Sequence, residues 1–219
     1  MRKFIGWLCY FIATGFFTGR LGRNGKGGGT WGSILALLIQ FLLVFWIQPV
    51  WWVYPVITVA IFALGLAVVG PAEQYAYERY GEVPRHDGKI GMYDRNETNI
   101  DEVFGMFAAN CIFLIIFSTV DLQNTWNMVG AGTALGIGFV GFRLFDVFKR
   151  GPARQMECNS DPENPFGMVT RLSIMLDDLF AALPLVFASS VVLVGIYCIC
   201  ASILLGIVLL FVALVYDLV

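Results

Sequence analysis

The chain has 219 residues, of which 58% are hydrophobic and only 14% charged, and its mean hydropathy is +0.74. Soluble domains are about 25% charged, so this composition excludes a water-soluble enzyme and points to an integral membrane protein of one helical domain. The net charge of −2 says little, and the placement of the charges is more informative; no nucleic-acid partner is expected.

Residues 4–18 form the first apolar run. Basic residues flank it on both sides, and it falls short of the ~20 residues a membrane helix needs. An interfacial or re-entrant helix is therefore expected. Arg2-Lys3 before an apolar stretch also fits the start of a cleaved signal peptide, but no small-residue cleavage site follows. The loop 19–33 is rich in glycine and carries Arg20, Arg23 and Lys26. Glycine amides ahead of a helix N-terminus make a phosphate cradle. A basic loop held by anionic lipid headgroups is the equal alternative. A helix is predicted from near Trp31, with Thr30 or Ser33 as its cap. The loop is not a Walker A element, because no G-K-[ST] occurs.

Further apolar runs at 31–48, 53–70, 103–120, 128–148 and from 174 onward approach spanning length. As one helix, 183–216 would be ~50 Å long. A break near Ala188-Ser189-Ser190 or Gly195 would turn five spans into six. The fold expected is an all-α, polytopic membrane helical bundle with the N-terminal interfacial or re-entrant helix and five or six spanning helices. All 14 Arg and Lys residues lie in the N-terminal segment, the 70–102 loop or the 143–172 region, and none lies in 49–52 or 121–127. The positive-inside rule then places every basic segment in the cytoplasm.

Acids cluster where apolar runs meet that boundary. Asp101-Glu102 begins one run, and there capping and metal ligation are equal readings. Arg143, Asp146 and Arg150 stand at i, i+3 and i+7, within an arc of ~60° on a helix. An ion-pair ladder would explain them as well as a metal and an anion would. Asp177-Asp178 begins the last run, and capping explains one of the two acids better than both. Taken jointly, five carboxylates on one face would repel strongly at low dielectric. A divalent cation would resolve that, and Mg²⁺ takes oxygen ligands while keeping waters for a phosphate.

Other chemistries are excluded. One histidine, His86, cannot supply the two that type-2 phosphatidic acid phosphatases use. None of the five cysteines has Arg six positions on, and no D-x-D-x-[TV] loop occurs. The cysteines form no C-x-x-C pair and are expected to be small buried hydrophobes.

Four elements in order then resemble the phosphatidylglycerophosphatase A family of bacterial inner-membrane lipid phosphatases. They are Gly29-Thr30-Trp31-Gly32-Ser33, Asp101-Glu102-Val103-Phe104-Gly105-Met106, the run Phe142-Arg143, Asp146, Lys149, Pro152, Arg154, and Ile174-Met175-Leu176-Asp177-Asp178. Asp94, with Glu97 and Ile100, fits an upstream acid of the pattern. The match covers about residues 12–185. Gly28, Arg150, Glu157 and Ser173 depart from it, as does an insertion around 159–165. The resemblance implies a catalytic domain over 1–185 and a C-terminal transmembrane extension over 186–219. It implies Mg²⁺-dependent hydrolysis of phosphatidylglycerophosphate at the cytoplasmic face of a bacterial inner membrane, with membrane lipids as partners. Asp101, Glu102, Asp146 and Asp178 would be catalytic, and these four with Asp177 would hold the metal. Thr30, Ser33, Arg143, Lys149 and Arg154 would bind phosphate. Another lipid phosphate such as phosphatidic acid, or a non-enzymatic transporter or scaffold, are the alternatives.

Overall fold

A computed structural model describes residues 2–21, 27–84, 90–92, 95, 97–119, 122–123, 125–148 and 164–191. The chain divides into two compact units, Met1–Val186 and Phe187–Val219. The acidic cluster lies in the first; of the second, residues 187–191 are described and are helical.

Helix α1, Arg2–Ala13, is only ~18 Å long and cannot cross a bilayer. Gly6, Tyr10 and Ala13 recur at helical spacing and are buried against α3, while Phe4, Ile5, Trp7 and Leu8 face outward. Such an outward apolar and aromatic face suits the membrane interface. The chain then reverses through Gly15, Phe16 and Phe17, all with positive φ. The Thr14 hydroxyl accepts a hydrogen bond from the Phe17 amide at 3.2 Å. A 3₁₀ turn, Thr18–Leu21, follows.

Helix α2 runs over Gly28–Leu42 and continues as a π-helical turn, Leu43–Ile47. It begins earlier than the sequence predicts. Gly27, with φ +91°, is the N-cap, a left-handed conformation that glycine adopts without strain. Thr30 and Ser33 therefore lie inside the helix and do not cap it.

Helix α3, Val53–Tyr80, is the largest departure. The polar sequence after residue 70 reads as loop, yet the helix continues through Pro71 for ten more residues. Ala72, Glu73 and Ala76 explain this, because all three are buried on that extension. Tyr10 of α1 packs its ring near those of Tyr75 and Tyr80. A two-residue antiparallel ladder, Val83–Pro84 with Ile90–Gly91, follows.

Helix α4, Ile100–Phe117, is the most buried of the long helices, and α2, α3 and α5 (Thr125–Val147) pack on it. Helix α6, Met168–Val191, completes, among the described residues, a set of five helices long and apolar enough to cross a membrane. It runs unbroken through Ala188-Ser189-Ser190, so no break falls there; Gly195 lies outside the described residues. The described part of the chain is thus a helical membrane bundle, as expected. Glycines set its closest approaches, as is usual where lipid supplies no hydrophobic drive between helices. A Cβ on Gly105 of α4 would stand 2.6 Å from the Phe142 ring and 3.0 Å from Asp178 Cβ. That crossing brings α4, α5 and α6 together just inside the start of α4.

Candidate metal centre

The first turn of α4 carries Asp101 and Glu102, where the helix dipole favours negative charge. Asn99 is the N-cap, but its side chain makes no cap bond. Its amide nitrogen instead donates to Thr18 Oγ1 at 3.1 Å and to the Gly28 carbonyl at 3.5 Å, and its backbone N–H donates to the Ala13 carbonyl at 2.9 Å. One fully buried residue thus ties the end of α1, the start of α2 and the start of α4 together.

The residues just before it are anchored as firmly. Glu73, 1% exposed, accepts from the Thr98 hydroxyl and from the Arg95 backbone N–H. Glu97 accepts from the Tyr10 hydroxyl and pairs with Arg20 at 3.8 Å. Burial, and then the Glu97 carboxylate, push the Tyr10 phenol above its ordinary range, so it remains a donor.

Asp178 reaches the same place from α6 across the Gly105 crossing. Oxygens of Asp101, Glu102 and Asp178 all lie within 4.8 Å of one another. Glu102 and Asp178 are buried, at 8% and 1% exposure. At this separation two ionised carboxylates repel by about 3 kcal/mol at an effective dielectric of about 20. Glu102 Oε2 is shielded from solvent and meets no hydrogen-bond partner among the described residues. Asp101 and Glu102 are neighbours in the chain and bring their carboxyls to one place beside Asp178, an arrangement that a cation among them would relieve. An all-oxygen donor set with a buried, unsatisfied oxygen fits a hard divalent cation.

Positive charge comes from α5. Arg143 Nη1 pairs with Asp146 Oδ2 at 2.5 Å, and Nη2 donates to the Thr30 hydroxyl at 3.3 Å. Gly29 makes the approach possible. A Cβ there would overlap Glu102 Oε1 and stand 3.2 Å from Arg143 Nη1. The glycine-rich segment therefore works as a notch for a carboxylate and a guanidinium.

Not every expected residue joins this group. Asp146 belongs to the Arg143 pair and Asp177 is buried beside Asp178, but neither is in the three-carboxylate set. Ser33 is fully buried and its hydroxyl donates to the Gly29 carbonyl at 3.0 Å, so it supports the helix turn and does not face an anion. Lys149, Arg154 and the upstream Asp94 lie outside the described residues. The sequence reading missed Asn99 and Glu73. An Asn just ahead of an apolar run signals an N-cap, but nothing local reveals that its amide is used elsewhere.

A family model described as phosphatidylglycerophosphatase A matches residues 11–196. That interval takes in all four helices that carry the acids, Arg143 and Thr30. No curated protein and no solved structure matches the chain.

Proposed function

The chain belongs to the phosphatidylglycerophosphatase A family and so is a phosphoric monoester hydrolase, and from that premise we propose that the centre on α4 and α6 is its Mg²⁺-dependent active site. The substrate is phosphatidylglycerophosphate. Water accepts the terminal phosphoryl group, the ester P–O bond breaks, and phosphatidylglycerol and phosphate result, completing a step of phospholipid biosynthesis. The observation that carries this reading is the cluster of Asp101, Glu102 and Asp178, drawn from two helices and set beside Arg143.

Asp101, Glu102 and Asp178 would hold the metal, with Asp177 and Asp146 flanking it. When bound, Mg²⁺ supplies Lewis-acid polarisation of the phosphoryl oxygens and lowers the pKa of a bound water. Arg143, oriented by Thr30 and Asp146, offers fixed N–H donors where charge grows on the phosphoryl oxygens. Lys149 and Arg154 add cations from the segment after α5. The lipid tails stay among the spanning helices while the headgroup meets the acids at the helix ends. We assign this chemistry to residues 1–185 and read 186–219 as a transmembrane extension, although the family match runs on to 196. The distribution of basic segments supports a centre on the cytoplasmic face, and we read the membrane as a bacterial inner membrane.

The test is phosphate release from phosphatidylglycerophosphate in detergent micelles, with Mg²⁺ and with chelator, beside a panel that includes phosphatidic acid. Release that needs Mg²⁺ and prefers phosphatidylglycerophosphate supports the proposal. Equal release with chelator present refutes the metal assignment, and preference for phosphatidic acid refutes the substrate.

A further inference from the structure

Two of the helices that frame the centre, α2 and α4, are joined a second time, deeper in the bundle, by uncharged polar groups, and α5 packs closely on that junction. Gln40 Nε2 of α2 donates to the Met106 carbonyl of α4 at 3.1 Å, and Asn110 Nδ2 of α4 donates to Gln40 Oε1 at 2.7 Å. Both side chains are 0% exposed. The orientations follow from one another, because a backbone carbonyl can only accept. It fixes the Gln40 amide, which fixes the Asn110 amide, and Asn110 Oδ1 is left facing α5. There it lies against Gly138, where any Cβ would overlap it, and it accepts no N–H or O–H among the described residues. A Cα–H contact from a close glycine backbone is what such an oxygen can use.

Burying an amide inside a membrane bundle is costly unless it is hydrogen-bonded, so the Gln40–Asn110 pair favours the one arrangement of helices in which these bonds form. Apolar packing against lipid-like surroundings distinguishes poorly between neighbouring helix rotations and offsets. A directed hydrogen bond does distinguish them, as single buried polar residues do in helical coils. The three helices involved here are those that bring Gly29 and Thr30, Asp101 and Glu102, and Arg143 and Asp146 together. Asn110 lies ~12 Å along α4 from Glu102, and Gly138 lies ~7.5 Å along α5 from Arg143. Within a stiff helix, a slip at one point is carried to the other.

We infer that Gln40 and Asn110 are positioning residues for the hydrolysis: they set the register of α2, α4 and α5, and hence the placement of Glu102 against Arg143. The inference rests on the active-site reading above. Neither side chain touches substrate or metal.

The full-length protein, reconstituted in phosphatidylcholine vesicles containing phosphatidylglycerophosphate, tests this in the double variant Q40M/N110L. The replacements are near in shape and remove both partners together, so no donor is orphaned and the fold is expected to persist. The expected result is a fall in kcat of about tenfold or more, a severalfold rise in half-saturating Mg²⁺, and a lipid KM within about twofold of wild type. The exchange variant Q40N/N110Q, which restores an amide pair, should recover activity over Q40M/N110L. Wild-type kcat and Mg²⁺ response in Q40M/N110L would overturn the inference. Should that variant fail to insert, Gly138→Ala, which pushes on Asn110 Oδ1, is measured in the same way and decides in the same terms. A wild-type protein that releases no phosphate with Mg²⁺ would overturn the active-site reading and this one with it, whereas an active wild type with unaffected variants overturns this one alone.

Discussion

Glu102 shows how much of the centre rests on single atoms. Its carboxyl is buried among other acids, with one oxygen in the notch left by Gly29. Gly29→Ala changes no charge but drives a methyl into that oxygen. It should lower kcat by about 100-fold, as misplacement by an ångström can, and the loss should appear in phosphate-release kinetics with helix content unchanged. Asp178→Asn keeps the shape and removes one charge from the set. It should lower phosphate release by about 100-fold or more, and extra Mg²⁺ should recover part of it. Arg143 reaches Asp146 and Thr30 with two different nitrogens. Lysine presents a point charge and cannot make that fork, so Arg143→Lys should cost about tenfold or more in kcat/KM, with KM for the lipid rising. An unaltered kcat/KM would argue against Arg143 as a phosphate ligand. The carboxylates and Arg143 were legible in sequence because acids and bases at the ends of apolar runs stand out. Asn99 was not, because its importance lies in bonds to Thr18, Gly28 and Ala13, all more than seventy residues away.

At the level of elements, hydropathy located the spanning helices and misjudged their ends. Helix α3 outruns its apolar stretch because the fold gives the buried Glu73 hydrogen-bond donors: the Thr98 hydroxyl and the Arg95 backbone N–H. Hydropathy sees a charge and predicts solvent, whereas the fold supplies partners. This extension matters for the centre, since Glu73 holds the residues that lead into Asp101. Glu73→Leu should leave Thr98 and the Arg95 amide unsatisfied and cost about 1–3 kcal/mol. A lower unfolding temperature in detergent, together with weaker activation by Mg²⁺, would show it. Helix α2 likewise starts earlier than its first large apolar residue, because Gly28, Gly29 and Gly32 are buried by neighbours and not by side chains of their own. Gly32 lies beneath Asn99, where a Cβ would come within 2.7 Å of its carbonyl oxygen.

At the level of the molecule, the described residues hold five helices suited to spanning and an N-terminal helix too short to span, with Asp101, Glu102 and Asp178 gathered in one site. The sidedness of the basic segments makes a prediction for the whole. In a cysteine-free background, Val50→Cys in the connection between α2 and α3 should react with a membrane-impermeant thiol reagent applied from the side of the membrane opposite the basic segments. Arg20→Cys should react only after the membrane is opened. The reverse pattern would invert the orientation and put the centre on the far face. The sequence by itself determined that this is a helical membrane protein, where its apolar segments run, and which charged residues sit at their ends. These are local properties, set by hydropathy over a window of residues and by the charge preference of helix ends. Only the tertiary structure decided which of those charges meet. Asp101 and Asp178 share a site because α6 crosses α4 at Gly105, and Glu102 and Arg143 both reach the gap at Gly29 of α2, whereas the Arg143–Asp146 pair, at i and i+3 of α5, was already legible in the sequence. The distance between groups far apart in the chain is a property of how helices pack, and no single stretch of residues carries it.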